Sequence, residues 1–181
     1  MNVFLQLLKE EKIMKRDDVI LVRGGGDLAT GTIHRLWSAG LKVLVLEAEH
    51  PAAIRRQVSV SEAVYEGGAV VEGMRAALVK TLDEAVVVWQ RGDVPVMVDP
   101  KGELIPQVRP AALVDAILAK KNLGTTRDMA PLTIALGPGF TAGVDVDFVV
   151  ETSAPPSGPY HPGGCGHPQH GRPRSHRRLW C

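Results

Sequence analysis

Apolar residues in this chain come in short blocks, and between several of the blocks they recur at three- and four-residue spacing. Val19-Ile20-Leu21-Val22, Val43-Leu44-Val45-Leu46, Pro95-Val96-Met97-Val98 and Leu132-Thr133-Ile134-Ala135-Leu136 have the length and continuity of strands buried on both faces. Between the first two blocks, Leu28, Ile33, Leu36 and Trp37 lie at helical spacing and run to Gly40, so residues 18–47 read as a βαβ unit. Pro51 opens a predicted helix that ends at Arg55 and Arg56, residues 57–61 alternate like a strand, and residues 61–65 predict a short helix stopping at Gly67-Gly68. Residues 68–73 and 76–80 read as two short strands around a turn. Thr81-Leu82-Asp83-Glu84 is a capping box, which predicts a helix over 85–90 that stops at Gly92. Pro110 opens a predicted amphipathic helix with Leu113, Val114, Ile117 and Leu118 on its apolar face and Lys120 and Lys121 near its end. Residues 144–151 alternate and predict a last strand. Strands alternating with helices define the expected fold class: α/β, with a Rossmann-like, mostly parallel sheet flanked by helices over residues 18–151.

The two ends do not share this pattern. Residues 1–17 read as an N-terminal leader or short helix with Phe4, Leu7, Leu8 and Ile13 at near-helical spacing. Residues 152–181 replace apolar blocks with Pro, Gly, His and Arg, a composition that predicts a disordered tail or a shifted reading frame. Cys165, His167, His170, His176 and Cys181 fall in that tail at spacings that match no standard zinc finger.

Composition narrows the class. A chain of 181 residues is long enough for one well-buried domain and too short for two large ones. The formal net charge of +1 hides an asymmetry, because residues 152–181 hold four arginines and no acid. Setting those four aside from 21 basic residues leaves 17 against 20 acidic ones, a net charge of −3 for residues 1–151. An acidic body makes a poor nucleic-acid binder. Both cysteines lie in the tail, so no disulfide framework is expected in the domain. No run approaches the roughly 20 apolar residues of a membrane span, and Lys9-Glu10-Glu11-Lys12 interrupts any secretory apolar core. The expectation is a cytoplasmic protein without membrane partners.

The candidate chemistry sits where strands end. Gly24, Gly26 and Ala29 follow the first strand with the spacing G-x-G-x-x-A: a glycine for the turn, a glycine for close backbone approach, and an alanine for helix–strand packing. Gly25, Asp27 and Leu28 complete this predicted cofactor loop. Glu47 ends the second strand, where a Rossmann site takes a ribose hydroxyl. Asp27 complicates the reading, since a carboxylate at the helix mouth competes with a pyrophosphate for the positive end of the dipole. Arg23 is placed to offset it. Arg55 and Arg56 are candidate anion contacts, with complementing a helix dipole as the alternative. Asp99 ends another strand and is a candidate for ligand contact or for a simple Asp-Pro turn. A second glycine loop, Gly137-Pro138-Gly139-Phe140-Thr141, also leaves a strand's carboxyl end, and its backbone N–H groups and Thr141 hydroxyl suit an anion. It lacks the lysine of a Walker loop, which argues against ATP hydrolysis. Asp145 and Asp147, two carboxylates on one predicted strand face, are a weak hard-cation motif.

Taken together, residues 22–31, 53–56, 61–67, 98–100, 119–124 and 136–145 resemble the accessory proteins of the selenium-dependent molybdenum hydroxylase system. The likeness spans residues 18–151 in order, and its glycine-rich motifs with their flanks are specific. It implies a role in maturing a molybdenum hydroxylase client enzyme, akin to the accessory factors of xanthine dehydrogenase. Members of that family continue beyond the last strand into a further region, and this chain departs from them there. The expected ligand is a nucleotide-type small molecule, NAD(P) or the dinucleotide form of molybdenum cofactor, held between the Gly24 and Gly137 loops. The competing class is an NAD(P)-dependent oxidoreductase, for which His34, His50 and Tyr65 are the available proton donors. A homo-oligomer is compatible with either reading.

Overall fold

The computed structural model describes residues 18–151. It contains the strands β1 (Val19–Arg23), β2 (Lys42–Glu47), β3 (Gly68–Val71), β4 (Met74–Leu78), β5 (Val94–Val98), β6 (Ala112–Asp115), β7 (Thr133–Leu136) and β8 (Phe148–Val150). Its α-helices are α1 (Asp27–Ser38), α2 (Ala63–Glu66), α3 (Leu82–Gln90) and α4 (Ile105–Val108). The strands form one eight-stranded sheet in the order β3-β4-β5-β2-β1-β6-β7-β8, in which every pairing is parallel except β3 with β4. The fold is therefore the α/β, Rossmann-like class read from the sequence.

The continuous apolar blocks become central strands because each of their faces is covered. Ile20, Val22, Val43 and Val45 pack on one face with Ile33 and Leu36 of α1. Leu21, Leu44 and Leu46 pack on the other with Ala85 and Val88 of α3. The capping box works as predicted: the Glu84 N–H donates to Thr81 Oγ1 at 3.2 Å, and Glu84 Oε2 accepts from the Lys80 N–H at 2.6 Å. The predicted stop at Gly67 is a left-handed helix cap at φ 78°. The turn between β3 and β4 places Glu72 and Gly73 at φ 48° and 83°, the left-handed pair that suits a tight hairpin.

Four expectations fail. The helix predicted from Pro110 is instead β6, buried along its length between β1 and β7. Residues 51–56 form no α-helix and residues 57–61 no strand; two short 3₁₀ turns, Arg56–Val58 and Val60–Glu62, take their place. Side-chain hydrogen bonds replace ladder bonds there: Ser59 Oγ donates to the Arg55 carbonyl at 2.8 Å, and the Val60 N–H donates to Thr30 Oγ1 at 3.0 Å. The last strand shrinks to β8, because Asp145 and Asp147 spend their carboxylates on turns. Asp145 accepts from the Thr141 N–H, and Asp147 from Thr133 and Arg127. Asp145 and Asp147 thus share no strand face, and among the described residues no group of three or more His, Cys, Asp or Glu is arranged to hold a metal ion. The predicted leader and the tail with its cysteines and histidines lie outside the described residues. Among the described residues, no helix is long and apolar enough to cross a membrane.

Candidate functional site

The strand order reverses at β1. The chain passes from β1 through α1 to β2 on one side, whereas β6 pairs with β1 on the other. In open α/β sheets the crevice outside the carboxyl ends of strands at such a reversal is where ligands bind. A crevice of about 530 Å³ lies here, lined by Gly24, Gly26 and Leu28, by Glu47, and by Ala116 to Leu118, with His50 to Ile54 along its rim.

The three glycines of the first loop have different surroundings. Gly24 stands at φ +92°, and a Cβ there would lie 3.0 Å from the Ala116 carbonyl oxygen and from Ile117 Cα. Its N–H donates to the Leu46 carbonyl at 2.8 Å, which fixes the start of the loop on β2. A Cβ on Gly25 would lie 3.0 Å from Val60 Cγ2 and 3.3 Å from Glu47 Oε2. The Gly25 carbonyl accepts from the Ser61 N–H at 2.9 Å. Gly26 differs from both: its backbone is extended at φ −64°, ψ 178°, and nothing lies within 4 Å of a Cβ added to it. Among the described residues, no acceptor meets its N–H. Gly24 is required by the fold, Gly25 is closely packed, and Gly26 is neither.

Helix α1 starts at Asp27, whose carboxylate sits at the helix mouth as foreseen. Its Oδ1 accepts from the Leu28 N–H at 2.9 Å, and its Oδ2 from Arg55 Nε at 2.8 Å. The Arg55 guanidinium, opposed by burial and helped by the Leu28 N–H, holds the Asp27 carboxyl below the usual carboxylate range. Arg55 rather than Arg23 therefore offsets this charge. Arg55 lines a separate cavity of about 470 Å³ between α1 and residues Val58, Val71 and Glu72, together with His34 and Arg35, and Asp27 borders both cavities. Leu28 is 54% exposed at the crevice, while Ala29 is fully buried in the core.

Glu47 is held by backbone. Its Oε2 accepts from the Gly25 N–H at 2.6 Å and its Oε1 from the Ala48 N–H at 2.7 Å. Arg23 has turned away from the loop and is 1% exposed. It donates to Thr125 Oγ1 at 2.5 Å and to the Pro100 carbonyl at 3.0 Å, and its guanidinium lies 3.8 Å from Asp115 Oδ2. Thr125 Oγ1 donates onward to Asp115, whose other oxygen accepts from the Ile117 N–H at 3.1 Å. This buried chain ties the residue before Gly24 to the residue before the 116–118 wall. Arg56 pairs with Glu62 at 2.6 Å and covers the Tyr65 ring at 4.8 Å, so hydrogen bonding to Glu62 raises its pKa.

Asp99 ends β5 as predicted, and both its oxygens cap the turn that follows, accepting from the Glu103 and Leu104 N–H groups at 3.0 and 2.9 Å. It is absent from the crevice lining. The second glycine loop is likewise apart from the first. A Cβ on Gly139, at φ +98°, would lie 2.8 Å from Lys121 Cα. The Gly137 N–H donates to the Val150 carbonyl at 2.8 Å, the Thr141 N–H to Asp145 at 2.7 Å, and Phe140 is half-buried beside them. Gly137, Gly139, Phe140 and Thr141 line no part of the crevice.

Sequence reading missed Thr30 and the 116–118 wall. Thr30 Oγ1 donates to the Gly26 carbonyl at 2.8 Å while accepting from Val60, so it joins loop, helix and rim. Its position four residues after Gly26 was the available signal. The wall was hidden by the assignment of β6 as helix.

Fold and site together define a Rossmann-like α/β domain with a glycine-loop crevice at its topological switch point. A curated relative, the uncharacterized protein YqeB of Escherichia coli strain K12, is 51% identical over 135 residues, which is 75% of this chain. The same stretch is 25% of that relative, so the chain spans about a quarter of its length. No family model matches the chain, and no solved structure matches it.

Proposed function

We propose that this chain is a cofactor-handling accessory protein in the maturation of a selenium-dependent molybdenum hydroxylase, and that it binds a dinucleotide-type ligand in the crevice of the first glycine loop. The observation that carries the ligand reading is Gly26. Gly26 is the N-cap of α1, a position that glycine fills readily; it has no side-chain cap, its backbone is extended, and nothing lies within 4 Å of a Cβ added to it, so the approach to its backbone is open. A ligand backbone or phosphate approaching the α1 N-terminus uses that opening. Gly26 and the start of α1 would hold the phosphates, Glu47 would meet a ribose, and Leu28 with Ala116 to Leu118 would cover apolar parts of the ligand. The accessory role rests on the resemblance of the glycine motifs and their flanks, and the client is a molybdenum hydroxylase.

The oxidoreductase reading keeps one point in its favour, because His50 lines the crevice. His34 lies beside Trp37 and lines the neighbouring cavity, not the crevice, and the Tyr65 hydroxyl donates to the Pro51 carbonyl at 2.9 Å. Calorimetric titration of the chain with NAD, NADP and both forms of molybdenum cofactor, repeated on Gly26→Val, tests the proposal. The expected result is binding of a dinucleotide without redox turnover, lost in a Gly26→Val protein that still folds. Equal binding by that variant, or no binding by any of the four, would overturn it.

A further inference from the structure

On the reading of the crevice as a dinucleotide site, we propose that Arg55 is a positioning residue for anion entry. From the neighbouring cavity it neutralises Asp27, and the making or breaking of that pair sets the affinity of the crevice for its ligand. The starting point is a mismatch of charge. A pyrophosphate bridge carries a negative charge on each phosphate, yet the ionisable side chains in the crevice lining are Asp27, Glu47 and His50, with no lysine or arginine. Both oxygens of Glu47 are spent on backbone N–H groups, Gly25 at 2.6 Å and Ala48 at 2.7 Å, which stabilise its charge where it stands. Asp27 is the carboxylate left beside the phosphate position, because it follows Gly26 directly and its Oδ1 takes the Leu28 N–H at the start of α1. An unanswered carboxylate there repels a phosphate and competes with it for the same donors.

Arg55 answers it from outside. Its Nε donates to Asp27 Oδ2 at 2.8 Å across 28 residues of sequence, so the pair is made by the irregular segment after Pro51 and not by helical spacing. Arg55 lines the neighbouring cavity and is absent from the crevice lining, whereas Asp27 borders both. The Asp27 oxygen that does not meet α1 is therefore drawn to a cation that the ligand does not displace. The other arginines nearby are committed or apart: Arg23 is buried beside Asp115, Arg56 is paired with Glu62, and Arg35 lines the neighbouring cavity without pairing with Asp27. The pair is also free to break, since its side chains are 68% and 27% exposed and exposed ion pairs are weakly held. An acidic crevice thus accepts an anion only while Arg55 stays on Asp27.

A double-mutant cycle on the full chain tests this. The probe is whichever of NAD, NADP and the two forms of molybdenum cofactor binds the wild type most tightly, and calorimetry reads its dissociation constant in Arg55→Ala, Asp27→Asn, both together, and Arg55→Lys. Arg55→Ala is expected to weaken binding at least about fivefold, the order of one uncompensated like charge near a surface. Arg55→Lys, which keeps the charge, should stay within about threefold of the wild type. Asp27→Asn should bind at least as tightly as the wild type, and in that background Arg55→Ala should cost less than about twofold, because no charge is left to neutralise. An Arg55→Ala loss that persists in the Asp27→Asn background overturns the inference, since Arg55 would then meet the ligand itself. Weaker binding by Asp27→Asn also overturns it, because the pair would then serve only the shape of the loop. So does an unchanged affinity in Arg55→Ala. Each of these leaves the dinucleotide reading standing, whereas a wild type that binds none of the four probes overturns both. If Asp27→Asn fails to fold, Asp27→Ser takes its place in the cycle, with a hydroxyl for the Leu28 N–H.

Discussion

Gly24 and Gly26 are two residues apart and answer to different demands. At Gly24 the backbone is left-handed and a side chain would press on the backbone at Ala116 and Ile117. Gly24→Ala is therefore expected to destabilise the fold by about 1–3 kcal/mol, the usual cost of a strained backbone position. Gly26→Ala should leave stability within about 0.5 kcal/mol of the wild type, because its φ suits any residue and the space is empty. Denaturant midpoints of the two variants check the pair: equal losses would mean that Gly26 serves the fold after all. The same contrast explains what could be read from the sequence here. The spacing of Gly24, Gly26 and Ala29 identified the loop, and Glu47 was found at the end of its strand. Spacing could not show that Glu47 would be bound to Gly25, or that Arg23 would be drawn into the sheet by Thr125, Pro100 and Asp115. Those outcomes depend on partners 22 to 102 residues away.

Elements with local signals formed where they were expected. The strand–glycine–helix opening, the Thr81 capping box and the stop at Gly67 are each specified by a few neighbouring residues. Strand β6 carried a misleading signal. Pro110 suits a helix start, and Leu113, Val114, Ile117 and Leu118 fit one helical face. A short apolar block buried on both sides of a parallel sheet has no periodicity of its own to contradict that. The wall of the crevice was lost with it. Pairing of β7 with β8 depends on an anchor that sequence alternation mistook for strand. Burial by itself would lift the Asp147 carboxyl, but the Thr133 backbone N–H and hydroxyl and the Arg127 guanidinium outweigh it and hold the pKa below the usual carboxylate range. The lowered value fixes the sign: this contribution is fully present above the unfolded-state pKa of about 3.9 and is lost as pH falls through the folded value. Asp147→Asn is expected to cost about 1–2 kcal/mol at neutral pH and to flatten the acid limb of stability. Urea unfolding of both proteins from pH 7 down to about 3 measures it, and parallel acid limbs would show that Asp147 carries no linkage.

At the scale of the whole sheet, two glycine loops leave carboxyl ends on the same edge but two strands apart. Strand β6 lies between β1 and β7, and its exit segment fills the interval: Ala116 to Leu118 face the first loop, while Lys121 packs against Gly139 of the second. The second loop is closed on itself through Asp145, with the Thr141 N–H already donated. A ligand seated in the crevice is thus walled by the segment leaving β6 rather than by the second loop. Two exposed substitutions separate these arrangements. Leu28→Asp adds a carboxylate at the crevice without touching the core, since Leu28 is 54% exposed, and should weaken binding of an anionic dinucleotide at least about tenfold. Thr141→Val should change the dissociation constant by less than about twofold, a difference within ordinary surface effects. The reverse order of effects in calorimetric titration would move the ligand to the second loop and would make the crevice at β1 a consequence of sheet topology alone.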